Sequence, residues 1–165
     1  IFETQMQKDF FPVDLEKMGA RFTFLQPDIT TYIHPSSIKI VASKHSHRGD
    51  AYGYRIEEEG KTLVYCTDVE HGDGIDPNVV ALSRNADLLI HDAQYTLDEL
   101  KLMKGWGHSS WEQAVEVAEQ AGAKKQALFH HDPEHNDTFL LNMEMECQKR
   151  FPDAFIARED TEINV

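Results

Sequence analysis

Three apolar segments of this 165-residue chain run without a break into side chains that can bind a metal or carry a proton. Leu63-Val64-Tyr65-Cys66 leads through Thr67 to Asp68, Leu88-Leu89-Ile90 leads to His91-Asp92, and Ala127-Leu128-Phe129 leads to His130-His131-Asp132. A short, continuously apolar run bounded by turn residues reads as a strand covered on both faces, as in parallel or mixed sheets. Helical patterns lie between these runs. Strands alternating with helices prescribe a layered α/β domain, and polar groups at successive strand ends line one edge of its sheet.

The flanking segments fit that frame. Residues 1–18 read as helical and polar, broken at Phe10-Phe11-Pro12, with a short helix Val13–Met18 that Gly19 ends. Arg21–Leu25 and Ser37–Ala42 alternate and are expected as strands, with loop or edge strand over Thr30–Pro35. Ala51–Glu57 and Lys61–Thr67 form a hairpin around Glu58-Glu59-Gly60. Asp76-Pro77 supplies an N-cap and first helical residue for a helix through Ser83, and Leu97–Met103 is a second short helix. Trp111–Gln120 is the clearest helix, with Ser109 or Ser110 as cap, Ser109 and Glu112 at capping-box spacing, and Gly122 at its end. Asp137–Arg150 is the last helix, and short strands are expected near Phe155-Ile156 and Ile163.

Length and a 41% hydrophobic content suit one domain, residues 1–165. The net charge of −13, with no Lys/Arg run, lacks the electrostatic footprint of a general nucleic-acid binder. No apolar run reaches the roughly 18 residues of a membrane helix. Cys66 and Cys147 have no CxxC spacing, which argues against a thiolate zinc site and fits a reducing, cytoplasmic setting.

His47, Asp68 and His130 have the attributes of a two-metal site: imidazoles and a bridging carboxylate, each after an extended segment in a Gly- or Asp-containing loop. Taken singly, a loop His is an ordinary surface residue and a post-strand Asp an ordinary cap. Asp92 and His108 add a second theme. A carboxylate on one imidazole nitrogen sets the tautomer and raises the basicity of the other, giving a dyad able to protonate a leaving oxygen. The plain alternative is a strand-end Asp and a His that merely precedes a helix. His71 and His135 are further candidates near the site mouth, His135 as a phosphate contact; Arg48 reads as a phosphate contact or a solvated loop residue, and Trp106 as a pocket wall or a packing residue. His34 reads as surface and Cys66 as core.

The order His47-Arg48…Tyr52-Gly53-Tyr54-Arg55, Tyr65-Cys66-Thr67-Asp68, Asp87–Ala93, Gly107-His108-Ser109-Ser110 and Leu128-Phe129-His130 resembles the C-terminal half of the metallo-β-lactamase fold. Within it, the tRNase Z and phosphodiesterase branch is most similar. The resemblance spans about residues 36–140 and implies an αββα sandwich holding two divalent ions, zinc foremost, with manganese or iron as alternatives. It implies His47 as a ligand of one metal, Asp68 as the bridging carboxylate and His130 as a ligand of the other, in preference to His131. It also implies His108 as proton donor and Asp92 as its acidic partner, where tRNase Z usually has the longer Glu. Metal-activated hydroxide would be the nucleophile.

The family's His-x-His-x-Asp-His motif has no match here, so the N-terminal half of the fold is expected from elsewhere and this chain alone is expected to be inactive. In many tRNase Z enzymes an RNA-grasping arm is inserted between the positions of His47 and Asp68. Here only about twenty residues separate them, which favours a small or cyclic phosphodiester over nucleic acid. A truncated, non-catalytic binding or sensing module is one alternative. A hydrolase of another ester, such as a thioester or lactone, is a second. The expected partners are the missing half of the fold or another copy of the chain, with no membrane.

Overall fold

Glu59 and Gly60 adopt φ values of 48° and 79°, the left-handed pair that closes a two-residue hairpin. They join Ala51–Glu58 (β3) to Lys61–Cys66 (β4), with Glu58 opposite Lys61. In the computed structural model this hairpin lies at the middle of a seven-stranded sheet. The structure describes residues 31–33, 37–49 and 51–165, together with residues 4, 13, 17 and 19. Of the expected helix Val13–Met18 only residues 13 and 17 are described, and the strand Arg21–Leu25 and His34 lie outside the described residues.

Thr31–Ile33 (β1), Ile38–His45 (β2), β3 and β4 form an antiparallel meander. Leu88–Asp92 (β5), Gln126–Phe129 (β6) and Ala154–Ile156 (β7) continue it in parallel, so strand order follows sequence order throughout. The connections carry Pro77–Ser83 (α1), Leu97–Leu102 (α2), Trp111–Ala121 (α3) and Asp137–Arg150 (α4). Parallel crossovers are right-handed, and these three step the same way along the sheet, so their helices gather on one face. Helix α1 packs on β2, β3, β4 and α3, helix α3 on β5, β6 and α4, and helix α4 on β7.

Local chemistry sets the helix ends. Asp76 accepts the Asn78 N–H with Pro77 at the first position of α1, and Gly122 closes α3 in the left-handed region. The α3 cap is Ser110, not Ser109. Ser110 and Gln113 form the capping box, while Glu112 accepts the Leu97 N–H instead. No strand forms at Ile163.

The core lies between helices and sheet. Val64, Cys66 and Leu89 pack with Val79, Leu82, Val117 and Ala118; Leu128 packs with Ala114, Val115, Met143, Cys147 and Ile156. Each fully buried Leu or Val contributes about 1.5–3 kcal/mol. The alternate residues point to the other face, where Tyr54, Tyr65 and Phe129 are 43%, 36% and 39% exposed. Tyr54 pairs with Tyr65 across the hairpin, and the Tyr65 and Phe129 rings are 6.2 Å apart. The expectation that β4 is covered on both faces therefore does not hold among the described residues. The described residues form two layers, a mixed sheet and the helices packed on one of its faces. No helix among them is long and apolar enough to cross a membrane.

Candidate metal centre

The strand ends β4, β5 and β6 lie side by side in parallel register, with Cys66 beside His91 and Asp92 beside Phe129. The residues that follow them are therefore brought together. Asp68 and His130 both turn back at φ values of 56° and 62°, a region non-glycine residues seldom enter. Such strain persists where the surroundings over-determine it, and it clusters at functional sites.

Asp92 anchors the arrangement. It is fully buried, and both carboxylate oxygens are occupied. Oδ2 accepts the Asp68 N–H at 3.0 Å and His108 Nδ1 at 2.9 Å; Oδ1 accepts Ser109 N–H at 3.0 Å and Gln94 N–H at 3.3 Å. Burial opposes its charge, but the contacts from His108, His130 and Ser109 outweigh burial and hold the carboxyl well below the usual range. An ionised carboxylate only accepts, so His108 carries its proton on Nδ1 and leaves Nε2 for chemistry. The Asp side chain is long enough to reach the imidazole.

Around that pair, His47, Asp68 and His108 present ligand atoms within 4.8 Å of one another, and so do Asp92, His108 and His130. His47 Nε2 stands 3.6 Å and His130 Nδ1 stands 3.7 Å from the same atom, Asp68 Oδ1. These gaps are too long for hydrogen bonds. Each pair by itself is near the spacing of two ligands on one ion, because donors about 2.0–2.1 Å from a tetrahedral metal lie roughly 3.3 Å apart. His130 Nδ1 is buried without a hydrogen-bond partner, although it lies 3.3 Å from Asp92 Oδ2. The Asp92 carboxylate holds the His130 imidazole above its ordinary range. A buried nitrogen aimed at two carboxylates, with no hydrogen bond of its own, fits a divalent cation. The donors are imidazole nitrogen and carboxylate oxygen, without thiolate. Cys66 is fully buried, and burial pushes its thiol up to about 12.

His131 joins neither donor group. His135 stands apart as well: its Nε2 pairs with Glu99 at 2.9 Å, and its ring stacks 4.0 Å from Phe139 at the start of α4. That pair braces α2 against the start of α4. Arg48 is exposed in the turn beside His47.

Four positioning groups were not legible as such. Gly107 (φ 99°) lies so close to His47 that a Cβ there would be 2.5 Å from the ring Cδ2. His45 Nε2 donates to the Thr67 and Asp68 carbonyls, both at 3.1 Å, bracing the left-handed Asp68. Ser109 Oγ donates to the Val69 carbonyl. Glu70 accepts the Gly105 and Gly107 N–H groups. The only signals available were the Gly-Trp-Gly-His run and the second His at position 45. Behind the site, His71 and His91 stack with ring centroids 5.3 Å apart, and burial pushes His71 down to about 3.

A family model described as the beta-lactamase superfamily domain matches residues 3–131. Ribonuclease Z of Picrophilus torridus is 34% identical over 107 residues, covering 64% of this chain and 32% of that protein. The chain thus spans about a third of the length of such curated relatives. Among solved structures, the metallo-beta-lactamase fold protein YhfI from Bacillus subtilis is 26% identical with a TM-score of 0.65, over 81% of this chain and 52% of that one. The short form of human tRNase Z shares the fold at 22% identity and a TM-score of 0.58, over 77% of this chain and 43% of that one.

Proposed function

Because this chain belongs to the beta-lactamase superfamily, we propose that it supplies the C-terminal portion of a metal-dependent hydrolase of phosphodiester bonds. The observation that carries this reading is the 2.9 Å pair of His108 and Asp92 set against the donors of His47, Asp68 and His130. His47, Asp68 and His130 would hold two divalent ions, zinc foremost, together with ligands from the portion that carries His-x-His-x-Asp-His. Bound there, such ions lower the pKa of water and neutralise phosphoryl oxygens.

The chain's own residues handle the proton. His108, protonated on both nitrogens, gives the Nε2 proton to the departing oxygen and keeps Nδ1–H on Asp92. The buried carboxylate stabilises the imidazolium before transfer and fixes the tautomer after it. The backbone N–H of Asp68 rests on Asp92 Oδ2, so one carboxylate orients both the proton donor and the bridging residue.

A small or cyclic diester is favoured as substrate. His47 and Asp68 are joined by a plain hairpin with a two-residue turn, with no added arm, and the chain carries a charge of −13. The relatives named ribonuclease Z favour RNA as the second reading. The exposed aromatic face of Tyr54, Tyr65 and Phe129 supports a second sheet packing there from the remaining portion.

The test uses the intact protein loaded with zinc or manganese, assayed on bis-p-nitrophenyl phosphate, cyclic nucleotides and a structured RNA. Turnover of cyclic nucleotide or RNA that is abolished in Asp68→Ala and in His108→Ala, with bis-p-nitrophenyl phosphate cleavage lost in Asp68→Ala, supports the reading. Turnover that survives both substitutions together overturns it.

A further inference from the structure

Glu70 sits where three loops of the site cross. Its backbone N–H donates to the Ser46 carbonyl at 2.9 Å, next to His47. It follows Asp68 by two residues. Its side chain grips a third loop: Oε1 accepts the Gly105 N–H at 2.7 Å and Oε2 the Gly107 N–H at 3.0 Å. His108 comes next.

That third loop needs a hold. Gly105 and Gly107 have φ values of 87° and 99°, so the backbone uses two residues of the greatest conformational freedom in one short turn. Trp106 between them is 59% exposed and gives little packing in return. Asp92 and Ser109 fix the C-terminal side of His108. On the N-terminal side the two hydrogen bonds to Glu70 fix the loop. Both are charge-assisted, and both oxygens of one carboxylate are used. Gly107 also lies against the His47 ring, so the gripped loop is the wall of the His47 position.

Building on the hydrolase reading, we propose that Glu70 is a positioning residue that locks the Gly105–Gly107 turn and so aligns the His108 proton donor with Asp68 and His47. It touches neither substrate nor metal in this role. A leaving group that needs a proton depends on the alignment, whereas a stable anion such as p-nitrophenolate departs without it.

The experiment compares Glu70→Gln and Glu70→Ala with the unmodified intact protein. The Gln variant keeps one acceptor oxygen and sets an amide N–H against the other glycine. Amide exchange at Gly105 and Gly107 is expected to speed up by about tenfold or more, with the Tm held nearly constant. The His108 imidazole resonance is expected to broaden, and bound zinc to stay within about twofold. The kcat for cyclic nucleotide is expected to fall about tenfold or more at constant KM, with bis-p-nitrophenyl phosphate much less affected. Unchanged exchange at both glycines, or equal loss on the two substrates, overturns the proposal. If the unmodified protein cleaves neither diester, the hydrolase reading fails by itself. Exchange and the His108 resonance then decide the lock: faster exchange with broadening supports it, and unchanged spectra overturn it.

Discussion

Asp92 and His108 share a 2.9 Å hydrogen bond in which the carboxylate is wholly buried and the imidazole is partly open to the site. Asp92 also accepts three backbone N–H groups. Asp92→Asn keeps the shape but turns an amide N–H toward donors that need an acceptor. It is expected to destabilise the fold by about 1–3 kcal/mol, read by urea titration. It is also expected to lower kcat on cyclic nucleotide by roughly 10²–10⁴ by removing the dyad.

Gly107→Ala puts a Cβ 2.5 Å from His47 Cδ2 and 2.8 Å from Nε2, at a φ of 99°. The His47 ring must move. Expected are a loss of about 1–3 kcal/mol in stability from the strained backbone and a zinc affinity weakened about tenfold or more. Calorimetric zinc titration checks it, and unchanged zinc affinity would show that His47 is not a ligand.

His45, His71 and His91 are buried, and burial holds all three below the ordinary imidazole range, His71 at about 3. The folded protein keeps them neutral while the unfolded chain protonates them below about pH 6.5. The unfolded state then binds more protons, so stability falls as pH drops below about 6.5, for His71 down to about 3, by up to about 1.4 kcal/mol per pH unit per histidine. In metal-free protein, His71→Phe is expected to flatten the slope of unfolding free energy against pH. Asp92 acts in a lower window. Its depressed carboxyl adds stability that is present above its unfolded value of about 3.9 and is lost as pH falls through the folded value.

Cys66 and Cys147 are both fully buried, and burial pushes each thiol up to about 12. Both are expected to resist a thiol reagent at pH 8 in the native state and to label at the rate of global unfolding. Fast labelling of one cysteine would reveal a local opening around it.

Much of the fold was written locally. Asp76-Pro77, Gly60 and Gly122 mark element ends through dihedral and capping preferences that act within a few residues. The ordered segments from His47 to His130 carried the family resemblance. Tertiary structure decided what joins distant positions. Ser109 and Ser110 are equal as caps by local rule. The choice fell to Ser110 because Ser109 is taken by Asp92 and by Val69, 40 positions away. Glu70 binds Gly107 across 37 positions, and His135 is drawn to Glu99 across 36. Spacing along the chain has no means of expressing such pairs, because they depend on which strand ends the parallel register sets side by side. The gathering of the helices on one face is of the same kind: it follows from the handedness and shared direction of three crossovers, not from any single segment.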